Sequence, residues 1–213
     1  MIKAVIFDMD GTIADSEKIA ERVTKEFFAK RGIVMTRDEE KSVFGLNWKD
    51  LVKTILKSRN LEYTQSLKNT LKERYVRTMS REVLPVEGVY ELLEDLKDKF
   101  KIGLATNSRT REVNIIFEKL KFESYFQQKL AKDHVKKGKP DPEIYLKSAQ
   151  LFEVEPSECV VFEDSVIGLT AAKNAGMKCV GIINTYSREE LSRADLVIAS
   201  FKEINSKIIK ELY

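Results

Sequence analysis

Short apolar runs recur along this chain at residues 2–7, 101–105, 159–162, 179–183 and 196–199, each followed by polar or turn residues. They are rich in Val and Ile and do not alternate apolar with polar. That pattern suits strands covered on both faces, as in a parallel sheet. Between them lie segments of helical periodicity, at 87–99, 110–120, 142–152 and 166–175. Strand and helix taking turns in this way imply βαβ units with right-handed crossovers. The expected fold class is therefore α/β, a doubly wound parallel sheet.

One stretch breaks the rhythm. From residue 16 to about 81 there is no strand-like run, only helical patterns rich in Lys, Arg and Glu. Ile19, Val23, Phe27 and Phe28 fall on one helical face, and Leu51, Val52, Ile55 and Leu56 on another. An all-helical insert directly after the first strand reads as a cap domain spliced into the core. The expected organisation is a core of 1–15 and 82–213 with a helical cap of 16–81, joined by hinges near 14–16 and 82–85.

Composition narrows the function classes. Of 213 residues, 43% are hydrophobic and 33% charged, which is ordinary for a globular protein and too apolar for a disordered one. The net charge of +3 is the balance of 37 basic and 34 acidic residues spread along the chain. That balance gives no strong electrostatic argument for nucleic acid or an anionic membrane, so neither is an expected partner. The apolar run Ala4-Val5-Ile6-Phe7 stops at an acid and is too short for a signal-peptide core, and no run has the length of a membrane span. A cytoplasmic protein, monomeric by default, is expected. Cys159 and Cys179 form no CxxC and read as reduced thiols in buried strands.

In a parallel sheet, ligands bind beyond the carboxyl ends of the strands. The first run ends in Asp8 and Asp10, the second in Thr106, Asn107 and Ser108, the third in Glu163 and Asp164. Parallel strands bring these ends to one edge. Two like charges about 4 Å apart repel by roughly 4 kcal/mol at an effective dielectric of about 20. Clustered acids therefore need a cation, or some must stay protonated. Oxygen ligands with no His or Cys among them favour Mg²⁺. A phosphate brought to such a site needs a positive group opposite, and Lys139 in Gly138-Lys139-Pro140-Asp141-Pro142 provides one. Pro140 biases Lys139 toward an extended backbone, Asp141 suits an N-cap and Pro142 the first helical position. Lys136 and Lys137 read as a solvated basic loop.

Taken in order, Asp8-x-Asp10-Gly11-Thr12, Thr106-Asn107, Gly138-Lys139-Pro140-Asp141-Pro142 and Phe162-Glu163-Asp164-Ser165 resemble the four signature motifs of the haloacid-dehalogenase-like hydrolase superfamily. The resemblance extends through Gly168, Ala171, Ala172, Ala175 and Gly176. The insert resembles the helical cap of the subgroup that holds phosphoglycolate phosphatase and beta-phosphoglucomutase. The resemblance implies that Asp8 attacks phosphorus and that Asp10 serves as acid, then base. It further implies that Thr106, the Asn107 backbone and Lys139 hold the phosphoryl oxygens. Mg²⁺ would sit between Asp8, the Asp10 carbonyl and Asp164, with Glu163 as a ligand or just behind. The implied activity is a Mg²⁺-dependent phosphatase for a small phosphate monoester, of the sugar phosphate or phosphoglycolate type.

Three rival readings fit the sequence less well. Phosphosugar mutases of this subgroup carry a His and an Arg where this chain has Ala20 and, nearby, Trp48, although Lys49 could supply the charge. Dehalogenase chemistry lacks the acid two residues after the nucleophile, which Asp10 provides here. A catalytically dead binding protein would have lost a nucleophile or metal ligand, and this chain keeps each one. Among the remaining features, His134, the single histidine, is expected at the surface. Trp48 is either cap packing or part of a substrate face. Arg74, Arg77 and Arg81 read as a solvated helix face.

Overall fold

The computed structural model describes residues 1–37, 39 and 48–212, with the side chains of 48–51 excepted. The chain divides into two compact units, Met1–Ala14 with Leu84–Tyr213, and Asp15–Val83. The first is built on six parallel strands: β1 (Ala4–Phe7), β2 (Lys101–Ala105), β3 (Gln128–Leu130), β4 (Cys159–Glu163), β5 (Lys178–Ile182) and β6 (Leu196–Ile198). Their order across the sheet is β3-β2-β1-β4-β5-β6. The α/β class and the parallel sheet expected from the apolar runs are what the structure contains.

β1 is buried at all four positions, and its neighbours β2 and β4 cover both its edges. Side chains alternate between the two faces of a strand. On one face Ala4 and Ile6 join Cys159, Val161, Ile144, Tyr145 and Leu169 in a single apolar cluster. On the other, the rings of Phe7 and Phe162 stack at 4.8 Å, with Phe126 and Phe201 against them. A central strand wrapped this way cannot shift register without turning its core residues toward the opposite layer.

Two elements are additional to the expectation, and one begins a residue late. β3 is a sixth strand that the apolar-run criterion misses, because Gln128-Lys129-Leu130 is short and polar. It lies at the sheet edge and pairs with β2 through its backbone. A C-terminal helix, Ser206–Glu211, also went unread; it is one and a half turns long and starts on the Asn205 side chain, which accepts from Lys207 N and Ile208 N. The helix expected from 142 begins at Glu143 instead, with Asp141 Oδ1 accepting from Glu143 N at 3.0 Å.

The regular elements of the second unit, among its described residues, are helices: α1 (Glu17–Ala29), α2 (Trp48–Lys57) and α3 (Gln65–Glu82). Ile19, Val23, Phe27 and Phe28 are buried on α1, Val52, Ile55 and Leu56 on α2, and Leu71, Val76 and Met79 on α3. Arg22 pairs with Glu82 and Arg74 with Glu26 across α1 and α3, while Arg77 and Arg81 are exposed. Such exposed pairs contribute about 0–1 kcal/mol each, so the apolar faces hold the unit together. The side chains of Trp48 and Lys49 lie outside the described residues. No helix among the described residues is long and apolar enough to cross a membrane.

Both cysteines are free and buried. Burial pushes the Cys159 thiol up to about 12, and Cys179 is raised well above its ordinary value, first by burial and then by Glu163. Stability from these protonated thiols is complete below the unfolded value of about 8.5 and is lost as pH rises toward the folded values. At pH 8 an aromatic disulfide reagent should find no thiol reacting at the rate of free cysteine, and both should react in denaturant. A fast native thiol would contradict this packing.

Candidate active site

Register assembles the site. Phe7 pairs with Leu104 on one side and Phe162 on the other. Asp8 is therefore level with Ala105 and Glu163, and one step further along come Thr106 and Asp164. β1 and β4 are also where the strand order reverses, the place at which open α/β sheets bind ligands. Asp8 N extends the ladder by donating to Phe162 O at 2.9 Å. The chain then folds back, with Ile13 N and Ala14 N both donating to Met9 O at 3.0 Å. Gly11 makes this turn at φ +76, and a β-carbon there would overlap the Asp164 carboxylate.

Lys139 lies at the centre. Its ammonium is 2.6 Å from Asp8 Oδ1 and 2.6 Å from Glu163 Oε1, and the whole side chain is buried. Asn107 holds the lysine backbone from both ends: its Oδ1 accepts from Lys139 N at 3.0 Å and its Nδ2 donates to Lys139 O at 3.2 Å. The Tyr145 hydroxyl donates to Glu163 Oε1 at 2.9 Å, and Ser165 donates to Oε2 through both its amide and its hydroxyl. Gly168 leaves room for that carboxylate, because a β-carbon there would overlap it. Both Glu163 oxygens are thus engaged by neighbouring side chains and backbone.

Burial raises the Asp8 carboxyl well above the ordinary range. Lys139 pulls it down, and Glu163, Asp164 and Asp10 push it up again. For Lys139, burial works to lower the pKa, but the adjoining carboxylates of Asp8 and Glu163 overcome it and hold the amine charged. Burial, then Glu163 and Asp8, raise the Tyr145 phenol well above its usual value, so it stays a donor.

Asp10 is half-buried and accepts from Ser108 Oγ at 2.6 Å and from Thr106 Oγ1 at 3.5 Å. Asp164 Oδ1 accepts from Thr12 Oγ1 at 3.2 Å, and its Oδ2 from Thr185 Oγ1. Oxygen atoms of Asp8, Glu163 and Asp164 lie within 4.8 Å of one another, and the Lys139 ammonium bridges the first two. All seven residues read from the sequence, Asp8, Asp10, Thr106, Asn107, Lys139, Glu163 and Asp164, stand at this edge. His134 is exposed and its Nδ1 accepts from Ala131 N at 3.0 Å.

Sequence reading missed Tyr145, Asn184 and Thr185. Nothing in the pattern marks Tyr145, which lies in the first turn of the helix Glu143–Phe152. Asn184 and Thr185 did carry a signal, since they too follow an apolar run at the carboxyl edge.

A model of haloacid dehalogenase-like hydrolases matches residues 5–182. The chain is 35% identical over 189 residues to a phosphorylated carbohydrates phosphatase of Thermotoga maritima, covering 86% of this chain and 87% of that protein. It is 31% identical over 221 residues to the beta-phosphoglucomutase of Bacillus subtilis, covering 99% and 95%. Among solved structures, a family IA, variant 3 hydrolase from Entamoeba histolytica superposes with a TM-score of 0.87 at 30% identity, covering 99% of each chain.

Proposed function

The chain belongs to the haloacid dehalogenase-like hydrolase family, and from that premise we propose that it is a Mg²⁺-dependent phosphatase of small phosphate monoesters. The observation that carries the proposal is Asp8, a buried carboxylate at the end of β1, paired with Lys139 beside Asp164. Phosphatases of phosphorylated carbohydrates among its relatives support a sugar phosphate as the substrate class.

The donor set suits a hard divalent ion. Three carboxylates lie together, two of them on one buried lysine; among the described residues no histidine or cysteine belongs to the cluster, and Lys139 leaves the Asp8 carboxyl raised. Asp8, Asp164 and the Asp10 carbonyl would hold Mg²⁺, with Glu163 supporting Lys139 beside it. Bound there, the ion supplies positive charge that keeps Asp8 ionised and offsets the charge of the phosphoryl oxygens.

In the first step an Asp8 carboxylate oxygen attacks phosphorus, the bond from phosphorus to the ester oxygen breaks, and Asp10 gives that oxygen its proton. In the second, water attacks phosphorus and loses a proton to Asp10 while the bond to Asp8 breaks, freeing phosphate. Thr106, the Asn107 backbone N–H and Lys139 bind the phosphoryl oxygens in both steps. Ser108, donating to Asp10, keeps that carboxyl turned toward the reacting oxygens. We take the helical unit as the cap that selects the alcohol and excludes water during the first step.

A panel of phosphate monoesters assayed for phosphate release, with Mg²⁺ and with EDTA, tests the proposal. Release is expected from at least one sugar phosphate and should be lost in EDTA. Full activity in EDTA would contradict it. The mutase reading has the Bacillus subtilis relative in its favour. Ala20, where the mutases carry His, speaks against it. Efficient conversion of a sugar 1-phosphate to the 6-phosphate in the presence of its bisphosphate would establish the mutase instead.

A further inference from the structure

Asp164 is held from two sides, by Thr12 on one oxygen and by Thr185 on the other. Thr185 belongs to the loop after β5, outside the four motifs. Its neighbour Asn184 donates Nδ2 to the Gly11 carbonyl at 2.8 Å. A β-carbon at Gly11 would overlap Asp164 and come within 2.9 Å of the Thr185 hydroxyl. The β1 turn, the end of β4 and the loop after β5 therefore meet at a single close contact.

A carboxylate that must bind a cation loses rotational freedom as it does so, unless neighbours have already fixed its plane. Two hydroxyl donors, one on each oxygen, fix it in advance and leave lone pairs on both. Partners that orient ligands in this way commonly change metal affinity by about 10- to 100-fold when removed. We propose that Thr185 and Asn184 are positioning residues for the cation site, Thr185 setting the plane of Asp164 and Asn184 anchoring the Asp10–Gly11 turn. The inference rests on the reading above that Asp8 and Asp164 hold Mg²⁺.

The experiment is titration calorimetry of Mg²⁺ into the metal-free protein, repeated with Mn²⁺ followed by electron paramagnetic resonance. Wild type, Thr185→Val, Thr185→Ser and Asn184→Ala are compared, each with a melting curve in EDTA. Thr185→Val should weaken binding of either ion by about tenfold or more, and Thr185→Ser should restore it to within about twofold. At saturating Mg²⁺ the KM for the ester should not change. Asn184→Ala should weaken Mg²⁺ binding by about threefold. Wild-type protein that takes up no Mg²⁺ overturns the metal reading and this inference with it. Wild-type uptake with unchanged affinity in Thr185→Val overturns the inference alone. If that variant is unfolded in EDTA, unchanged affinity in Asn184→Ala does so instead.

Discussion

Replacing Asp8 with Asn should lower phosphate release by at least about 10⁴-fold while leaving the fold intact. The amide keeps the size of the carboxyl and can still accept a hydrogen bond from Lys139, but its electrons are delocalised and it carries no charge with which to attack phosphorus. Stability should move the other way from activity. Asp8 and Glu163 share one buried ammonium with Asp164 close beside them, so removing one acid relieves repulsion among those that remain. In EDTA the melting temperature of Asp8→Asn should equal or exceed that of wild type, and the rise on adding Mg²⁺ should be smaller. A variant that retains activity, or one that melts well below wild type in EDTA, would contradict the assignment.

The second large effect belongs to Lys139. Its ammonium touches both Asp8 and Glu163 at 2.6 Å in a buried setting. Removing one partner of a buried ion pair leaves the other charge uncompensated, a loss of about 3–5 kcal/mol. For a protein of this size that corresponds to a fall of roughly 10 °C in melting temperature. Lys139→Met should show that fall in EDTA, recover part of it with Mg²⁺, and lose at least about 10³-fold in activity because a phosphoryl contact is gone. Lys139→Arg should not rescue it, because a planar fork cannot occupy the place of a compact ammonium between two carboxylates. Calorimetric melts with and without Mg²⁺, run beside the assay, check both halves.

The chemistry-bearing residues were readable because they obey a rule of topology. Strands buried on both faces announce themselves as apolar runs, and in a parallel sheet the residues just beyond those runs must share one edge. Asp8, Thr106, Glu163 and Asp164 follow directly from that. Lys139 was legible as a cation in a proline-bounded segment, but its direct pairing with Asp8 and Glu163 was not, since the pairing depends on how the loop before residue 143 returns to the sheet. Tyr145 was illegible for a related reason: a tyrosine in a helix reads as core, and only the folded structure puts its hydroxyl on Glu163. β3 escaped because an edge strand needs backbone partners more than apolar side chains, and Gln128-Lys129-Leu130 has little else to show. The strand-end rule did reach Asn184 and Thr185, but uncharged residues after an apolar run look like any loop.

The central claim is that phosphorus becomes bonded to Asp8. The most direct measurement is to quench the enzyme during turnover with a substrate it hydrolyses, reduce it with borohydride, and locate the modified residue by peptide mass spectrometry. An acyl phosphate is reduced to an alcohol, so homoserine should appear at position 8, only with substrate and Mg²⁺ present, and not in Asp8→Asn. An unmodified Asp8 during rapid turnover, or homoserine at Asp10 or Asp164 instead, would contradict the account.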